Sequence, residues 1–324
     1  MPIWTRGSAT NGRLQDKPRR TGRIGRLRRA YSVQRFLEGW RLFHENMIGR
    51  IGLILLAVFG LMALLSYIPP LIDPMYHPMT GVDPSISEST PPSLRHWLGT
   101  DNIGRDLLSQ LLTGARIAFL VGISAAFMSI VFGTLIGMVA GYAGRITDSL
   151  LMRLADMIMV MPSLLVVLLM ASFFGQLNIW IIVLLIALFR WPGVSRVIRS
   201  QTLSLKERPF IDMARVAGAS HLRIIFRHIL PNVLPMALLY MTFRVTSAII
   251  VEAALAFLGF GDPNTVSWGM MLQWVWKTGH MFQAPYWLLP PGICISLITL
   301  SFYMMGRAME EVLDPRLRKQ EESL

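Results

Sequence analysis

The sequence predicts an all-α integral membrane protein with six transmembrane helices, and three observations carry that prediction. Hydrophobic residues make up 53% of the chain and charged residues only 15%, whereas soluble domains carry about a quarter charged residues. The apolar residues are gathered into long uncharged stretches, and basic residues cluster at the ends of those stretches. A chain with this much apolar surface requires a bilayer as its solvent.

Each predicted span is an uncharged stretch of a length that crosses a bilayer, which takes roughly 20 residues at about 1.5 Å per residue. The stretches are 51–68, 117–144, 157–189, about 231–258 and about 286–306. The third stretch is too long for one span, and the residues from Gly175 to Asn178 within it are typical of a turn. This turn predicts a third and a fourth helix, of which the fourth continues past Arg190 toward Arg196.

The basic residues predict the orientation of the chain. With a cytoplasmic N-terminus, 26 of the 31 Lys and Arg residues fall in cytoplasmic segments and four in external segments. Because cytoplasmic loops carry the excess of basic residues, we expect both termini on the cytoplasmic side of the cell membrane. Topology and membrane lipid then explain the net charge of +12, and nucleic acid is not predicted as a partner.

The spans divide the chain into five regions. Residues 1–46 form a basic cytoplasmic tail, in which apolar residues at helical spacing from Val33 to Phe43 predict an amphipathic helix in the membrane interface. The other regions are a first transmembrane helix (47–70), an extracytoplasmic loop (71–114), a five-helix core (115–310) and a cytoplasmic C-terminal tail (311–324). In the external segment after the fifth span, the tryptophans are predicted to anchor at the headgroup level; they are Trp268, Trp274, Trp276 and Trp287.

Catalytic, metal and nucleotide sites have no support in the sequence. The single cysteine, Cys294, lies in an apolar stretch and is interpreted as a buried small hydrophobic residue. The six histidines show no metal-ligand spacing, so neither a metal nor a cofactor is predicted. Because no Gly-x-x-x-x-Gly-Lys-Ser/Thr loop occurs, any nucleotide chemistry is expected on another chain.

The most informative segment, residues 208–231, lies between the fourth and fifth spans. Pro209 suits the first turn of a helix, Gly218 can end that helix with a positive φ, and Ser220 can cap the next one. One apolar face is formed by Phe210, Met213, Ala214 and Ala217. A second stripe is formed by Leu222, Ile225, Phe226 and Ile229. Two short amphipathic helices around a glycine corner suit docking to another protein, and we call residues 208–231 the coupling segment.

At the coupling segment the chain resembles a known family. Asp212-Met213-Ala214, Gly218 and the closing 229–231 resemble the EAA motif of permease subunits of binding-protein-dependent ABC importers. More narrowly, the chain resembles the C-type permease subunit of dipeptide and oligopeptide importers. The stretches similar to that subunit are 98–101, 104–106, 252–254, 257–259, 267–269 and 313–317. Together they extend the resemblance over about residues 41–318.

The resemblance implies the architecture of a type I ABC importer permease. This chain and a second, B-type permease subunit would enclose the pathway, and two ABC ATPase subunits would grip their coupling segments. An extracytoplasmic solute-binding protein would deliver a peptide or a similar small solute, and this chain would not itself be an enzyme. ATPase coupling would fall to Asp212, Met213, Ala214, Arg215, Gly218, Ile229 and Pro231. The chain departs from the motif at Asp212, which replaces a Glu, and at Met213, which replaces an Ala.

Two charged residues of the fifth span are candidates for the translocation pathway. Arg244 lies 13 residues after Pro231, near the middle of the membrane, where a charge requires a water-filled cavity or a polar partner. It can bind a carboxylate of the cargo or hold helices together through backbone carbonyls, and both roles are open. Glu252 lies about 80° further round the helix and is interpreted as an anchor near the outer end.

Three charged residues of the external loop, Asp101, Arg105 and Asp106, are predicted to form a capped corner. Thr100 or Asp101 is the predicted cap. Contact with the solute-binding protein is the functional alternative for the same three side chains.

Two helix contacts are also predicted within the membrane region. Gly133, Gly137 and Gly141 allow close helix packing, either within this subunit or against the second permease. At the start of the third span, Arg153 and Asp156 are spaced to pair with each other.

Three other functions were weighed against the importer. A secondary transporter driven by an ion gradient often shows internal repeats, and none is evident here. An intramembrane enzyme lacks support because neither Gly-x-Ser-x-Gly nor His-Glu-x-x-His occurs. An ABC importer for a non-peptide solute, such as a nickel complex, stays open because the pore subunit does not disclose its cargo.

Overall fold

The computed structural model describes residues 46–86, 88–175 and 177–313, which are helical apart from the connecting loops. Its helices are α1 (Met47–Leu65), α2 (Pro69–Ile72), α3 (Leu107–Ala143), α4 (Arg145–Val160), α5 (Ser163–Phe174), α6 (Ile179–Lys206), α7 (Pro209–Val216), α8 (His221–Ile224), α9 (Leu230–Phe257), α10 (Trp268–Lys277) and α11 (Pro285–Leu313). A 3-10 turn at Pro74–Tyr76 and a π-helical turn at Ile225–Ile229 complete the helical elements. The described residues contain no strand, only an isolated bridge between Thr100 and Asp106.

Five of these helices are long and apolar enough to cross a membrane, and the count is six if a bent pair is taken as one span. The five are α1, α3, α6, α9 and α11, and the pair is α4 with α5. This count confirms the predicted all-α membrane fold. The interfacial helix and the basic tail predicted within residues 1–45 lie outside the described residues, as does the C-terminal tail from 314 onward.

The third span differs from the prediction. A single helix was expected to begin near Met157, but α4 begins at Arg145, ends at Val160 and meets α5 at an angle of 84°. The break falls at Met161-Pro162, because proline cannot donate an intrahelical hydrogen bond and forces the preceding residue into an extended conformation. The predicted turn after this span is confirmed, since α5 ends at Gly175 and the Asn178 side chain caps α6.

Several other boundaries moved relative to the sequence prediction. α3 begins at Leu107, ten residues before the predicted Ile117, and it therefore contains Arg116. The loop predicted as 71–114 accordingly ends at Asp106. At the other end of the chain, α11 continues to Leu313, beyond the predicted limit of the core at residue 310.

α3 lies at the centre of the bundle and packs most closely against α6. A Cβ on Gly133 would lie 2.6 Å from Cβ of Val194, and one on Gly141 would lie 2.8 Å from Cβ of Thr202. The predicted packing of this glycine stripe within the subunit is therefore confirmed. The glycines let the backbones of α3 and α6 approach each other closely in the halves of these helices that lie nearer the coupling segment.

The two ends of the bundle have different character. We call the end formed by residues 66–106 and 258–284 the loop end, and the opposite end, formed by the coupling segment, the coupling end. At the loop end, the Trp268 indole N–H donates to the Leu111 carbonyl over 2.9 Å and fixes α10 against α3. Trp268 and Trp287 are buried in this core, so their predicted anchoring in the headgroup region is wrong.

Candidate functional site

The coupling segment folds as two short helices around a glycine corner. Pro209 opens α7, and Gly218 follows it with a φ of +77°. The Gly218 N–H donates to the Arg215 carbonyl at 2.9 Å, and the Ala219 N–H donates to the Ala214 carbonyl at 3.0 Å. This pair of bonds is the Schellman arrangement, which satisfies the free carbonyls at a helix end. The Ser220 hydroxyl then accepts from the backbone of α8, as predicted from the sequence.

The coupling segment is attached to the bundle by isoleucines. Ile211, Ile224 and Ile229 are buried in one hydrophobic cluster with side chains of α3, α6 and α9. His221 adds a polar attachment, since its Nδ1 lies 2.8 Å from the hydroxyl of Tyr142 at the end of α3.

Most of the apolar face predicted for α7 points away from the protein, and only Ala214 of that face packs against the cluster of buried isoleucines. Phe210, Met213 and Ala217 are exposed, and Val216 beside them is 91% exposed. In the second stripe, Leu222 and Phe226 are exposed, whereas Ile225 and Ile229 are buried. The coupling segment thus has an isoleucine side that holds it to the bundle and a free apolar side that nothing in the described chain covers.

The charges on α7 pair with each other rather than with the bundle. An Arg215 guanidinium nitrogen lies 2.9 Å from Asp212 Oδ1, with both side chains exposed. The pair follows the i, i+3 spacing that favours helix-surface ion pairs, and it contributes little to stability when exposed. Asp212 is therefore available to exchange its partner for a donor on another protein.

Two arginines lie near the middle of the spans. Arg190 is 11 residues from the start of α6, about 16 Å along the helix, and Arg244 is 14 residues from the start of α9, about 21 Å along. Because α6 runs from the loop end and α9 from the coupling end, the two residues lie at similar depth. The charge count that predicts the orientation includes Arg190 among the cytoplasmic basic residues, but Arg190 lies well inside α6.

Glu252, the other candidate for the pathway, is 6% exposed and lies between α9 and α10. Ser267, whose side chain caps α10, begins the helix that packs against this part of α9. The close approach continues at Gly269, where a Cβ would meet the backbone of Ala253. These contacts agree with the interpretation of Glu252 as an anchor, and nothing in them points to the pathway.

The charged corner at the loop end is built from internal pairs. The Arg105 Nε lies 2.6 Å from Asp101 Oδ2, and the guanidinium stacks 4.0 Å above the ring of Trp274. The cap of α3 is Asp106, whose carboxylate accepts from the Ser109 N–H at 2.8 Å. Asp101 caps the corner itself, as predicted, because its Oδ1 accepts from the backbone N–H groups of Ile103 and Arg105.

Burial decides what this corner can offer to a partner. Asp101 is fully buried and Arg105 and Asp106 nearly so, and each is already bonded within the chain. Their predicted contact with a solute-binding protein stays a prediction from the sequence.

A histidine bridges two parts of the same loop. His96 Nδ1 lies 2.9 Å from Asp106 Oδ1, and its Nε2 lies 3.4 Å from Asp83 Oδ2. Hydrogen bonds from the hydroxyl and the backbone N–H of Ser85 lower the pKa of Asp83 from 3.8 to about 2. The network ties the segment before α3 to the helix cap and gives the loop end a fixed shape.

The ion pairs of α4 also differ from the prediction. Asp156 was expected to pair with Arg153 on the same helix, but it pairs with Arg196, and Asp148 pairs with Arg199. Both partners lie on α6, so the charges of α4 fasten it to a neighbouring helix near the coupling end. Among the described residues, no group of three or more His, Cys, Asp or Glu side chains is placed to hold a metal ion.

Comparisons with known proteins agree on one family. The family model described as "Binding-protein-dependent transport system inner membrane component" matches residues 133–319. A putative peptide permease protein of Brucella suis is 36% identical over 304 residues, which are 93% of this chain and 94% of that protein. The dipeptide transport system permease protein DppC of Bacillus subtilis is 33% identical over 94% of this chain and 92% of its own length. The oligopeptide transport system permease protein OppC of Haemophilus influenzae is 36% identical over 86% of this chain and 88% of its own length.

Proposed function

We propose, from the premise that the chain belongs to the family of binding-protein-dependent transport system inner membrane components, that it encloses half of the translocation pathway of an ATP-driven importer. As a permease subunit it is not an enzyme, and ATP hydrolysis belongs to separate subunits. A second, B-type permease supplies the other half of the pathway. Two ABC ATPase subunits and an extracytoplasmic solute-binding protein complete the transporter.

The observation that carries the coupling role is the free apolar side of the coupling segment. Met213 and Val216 are 66% and 91% exposed, beside the exposed Phe210 and Leu222. Contiguous apolar side chains on a polar end of a protein are typical of a protein interface. The isoleucines beneath them transmit force to α3 and α9, since they pack into the same cluster.

The orientation follows from the positive-inside rule. The coupling end carries the excess of basic residues, so it faces the cytoplasm, where ATP and the ATPase subunits are found. Both termini then lie on the cytoplasmic side, and the loop end faces the solute-binding protein. The membrane is the cell membrane, with lipid against the exposed apolar side chains of the spans.

Peptides are the proposed cargo. The relatives from Brucella suis, Bacillus subtilis and Haemophilus influenzae are all named as peptide, dipeptide or oligopeptide permeases. Their similarity extends over most of this chain, including the coupling segment and both arginine-bearing spans. A binding protein still makes the first selection among peptides.

Co-purification tests the docking surface. Val216→Glu places a charge on the free apolar side without disturbing the bundle, and we expect it to release the ATPase subunits and to stop ATP-dependent uptake. Leu94→Glu is the matched control, because Leu94 is fully exposed at the opposite, loop end. Retention of the ATPase subunits by Val216→Glu, with normal uptake, would contradict the proposed surface.

A pair of substitutions at Gly218 separates backbone strain from docking clearance. Gly218 has a φ of +77°, so both Gly218→Ala and Gly218→Trp strain the corner by about 1 kcal/mol. No other part of the chain lies within 4 Å of a Cβ added there, so the larger side chain meets space that only a partner fills. We expect uptake to survive Gly218→Ala in part and to be lost with Gly218→Trp, while both variants insert into the membrane. Equal uptake by the two variants would refute close docking at this corner.

A further inference from the structure

Two arginines, Arg190 on α6 and Arg244 on α9, lie about one helical turn apart at the α6–α9 contact. The Arg244 side chain reaches across to α6, where a Cβ on Gly193 would lie 2.5 Å from its Nη2. Gly193 is one turn after Arg190 on α6, so both side chains lie at one place along that helix. The absence of a side chain at Gly193 is therefore what admits the second guanidinium.

Neither arginine has a compensating partner among the described residues. The ion pairs of the described chain involve other arginines, and no hydrogen bond from Arg190 or Arg244 to a described side chain or backbone carbonyl is formed. Both side chains are partly buried. One turn beyond Arg244, the Ser247 hydroxyl is buried and also lacks a hydrogen-bond partner. The helix-bonding role for Arg244 that the sequence left open therefore finds no support in these contacts.

Physical chemistry requires that these charges be compensated. A guanidinium at mid-membrane depth is costly unless water or an anion contacts it, and two like charges at close range raise that cost. Arginine has five N–H donors in a planar fork that matches the two oxygens of a carboxylate. A site with two such forks and a neighbouring hydroxyl is suited to an anionic group and unsuited to a cation.

We propose that Arg190 and Arg244 form a binding site for a carboxylate group of the transported solute, halfway through the membrane. The proposal rests on the proposed importer function and names the chemistry of its cargo. A peptide offers this group as its C-terminal carboxylate or as an acidic side chain.

Equilibrium binding to the assembled transporter tests the site. The complete complex is placed in lipid nanodiscs without the binding protein, and binding of radiolabelled trialanine is measured. We expect saturable binding that unlabelled trialanine competes for and that trialanine amide, which lacks the carboxylate, does not. Competition by an N-acetylated aspartate amide, whose only carboxylate is in the side chain, tells whether the site requires the chain terminus.

The arginine variants give the decisive comparison. Arg190→Gln and Arg244→Gln each remove one fork, and we expect each to raise the Kd for trialanine about tenfold or more. Arg244→Lys keeps the positive charge but lacks the planar fork of N–H donors, so its Kd for trialanine should rise less than that of Arg244→Gln. Arg116→Gln is the matched control, since Arg116 lies over the ring of Tyr67 and away from the α6–α9 contact. ATP turnover in the absence of peptide should be unchanged in Arg116→Gln.

Three results would overturn the site. They are the absence of trialanine binding in the wild type, equal binding of the amide, and an unchanged Kd in both glutamine variants. Loss of the second permease from the glutamine variants would also overturn it, because the arginines would then be paired across the subunit interface. Uptake measured in parallel separates this inference from the proposed function. Trialanine binding without ATP-dependent uptake would contradict the proposed function. ATP-dependent uptake together with an unchanged Kd in both glutamine variants would contradict only the carboxylate site.

Discussion

Replacing Gly137 by alanine tests the packing of α3 against α6, on which the bundle depends. A Cβ on Gly137 would lie 2.5 Å from the carbonyl oxygen of Ser195 and 2.9 Å from Cβ of Ile198. The first of these atoms belongs to the backbone of α6, so no side-chain rotation can relieve the contact. The two helices must separate, and the contacts on either side of the glycine stripe loosen with them.

The expected change in stability has two opposing parts. Overpacking of a well-packed contact costs about 1–3 kcal/mol. Alanine is favoured over glycine within a helix by about 1 kcal/mol, which offsets part of that cost. We therefore expect Gly137→Ala to lower the free energy of unfolding by up to about 2 kcal/mol, and Gly137→Val to lower it further because its branched side chain meets the same atoms.

The matched control is Gly60→Ala in α1. Nothing in the chain lies within 4 Å of a Cβ added at Gly60, so this variant gains helix propensity without overpacking. Unfolding of the purified chain in mixed micelles of mild detergent and sodium dodecyl sulfate, followed by circular dichroism, gives the difference between the two variants. The close contact predicts that Gly137→Ala is less stable than Gly60→Ala by about 1–3 kcal/mol. Equal stability of the two variants would show that α3 and α6 are further apart than described.

Three further substitutions test other parts of the structure. Ile211→Ala should lower the free energy of unfolding by about 2–5 kcal/mol and weaken ATP-coupled uptake, because Ile211 is fully buried beneath the coupling segment. Val216→Ala is the control, and it should change the free energy of unfolding by less than about 0.5 kcal/mol because Val216 is exposed. Trp268→Phe removes the indole donor to the Leu111 carbonyl, and denaturation should reveal a loss of about 1–3 kcal/mol. The lowered pKa of Asp83 contributes stability that is complete above pH 3.8 and is lost as pH falls toward 2, so the melting temperature should decline less steeply over that range in Asp83→Asn.

The sequence predicts the spans where one local property determines the outcome. Uncharged length alone locates α1, α9 and the starts of α6 and α11 to within a few residues, whereas α6 and α11 extend well past their predicted ends. The same criterion misplaces the start of the third span. α4 carries four charged residues, so a search for uncharged stretches leaves it out. Asp148 and Asp156 are compensated by Arg199 and Arg196 of α6, and this compensation is a tertiary contact that no local pattern reveals.

The coupling segment shows the same division between local and tertiary information. Its helix start at Pro209 and its glycine corner at Gly218 are local, and both are as predicted. Which apolar side faces the bundle does not follow from the local sequence. The predicted face with Phe210 and Met213 is exposed, and Ile211 is buried instead. Periodicity identifies an apolar stripe, but only the surrounding helices determine which stripe they cover.

The position of Arg190 was misassigned for a related reason. It precedes a run of basic residues toward the coupling end, and the charge count therefore placed it with them. The N-cap at Asn178 fixes its true depth, because counting from that cap places it about 16 Å along α6. The sequence does show a charge within an apolar stretch. Such a charge is compatible with a position inside the span as well as with the end of the span.

The connection between the coupling segment and Arg244 gives the two proposals a common mechanical basis. From His221 to Phe257 the helical backbone continues without a loop, through a π-helical turn at Ile225–Ile229. A π-helical turn carries a wider backbone ring than the α-helix around it, and such turns are frequent at functional sites.

A partner that moves the exposed side of the coupling segment therefore acts on a helix that holds a guanidinium about 21 Å further along. If that movement changes the reach of Arg244 over Gly193, then binding of an ATPase and the affinity for a carboxylate must be linked, and each must alter the other by the same factor. Trialanine binding to the nanodisc complex should accordingly change when ATP without magnesium is added, and this change should be absent in Val216→Glu, in which the ATPase subunits no longer dock.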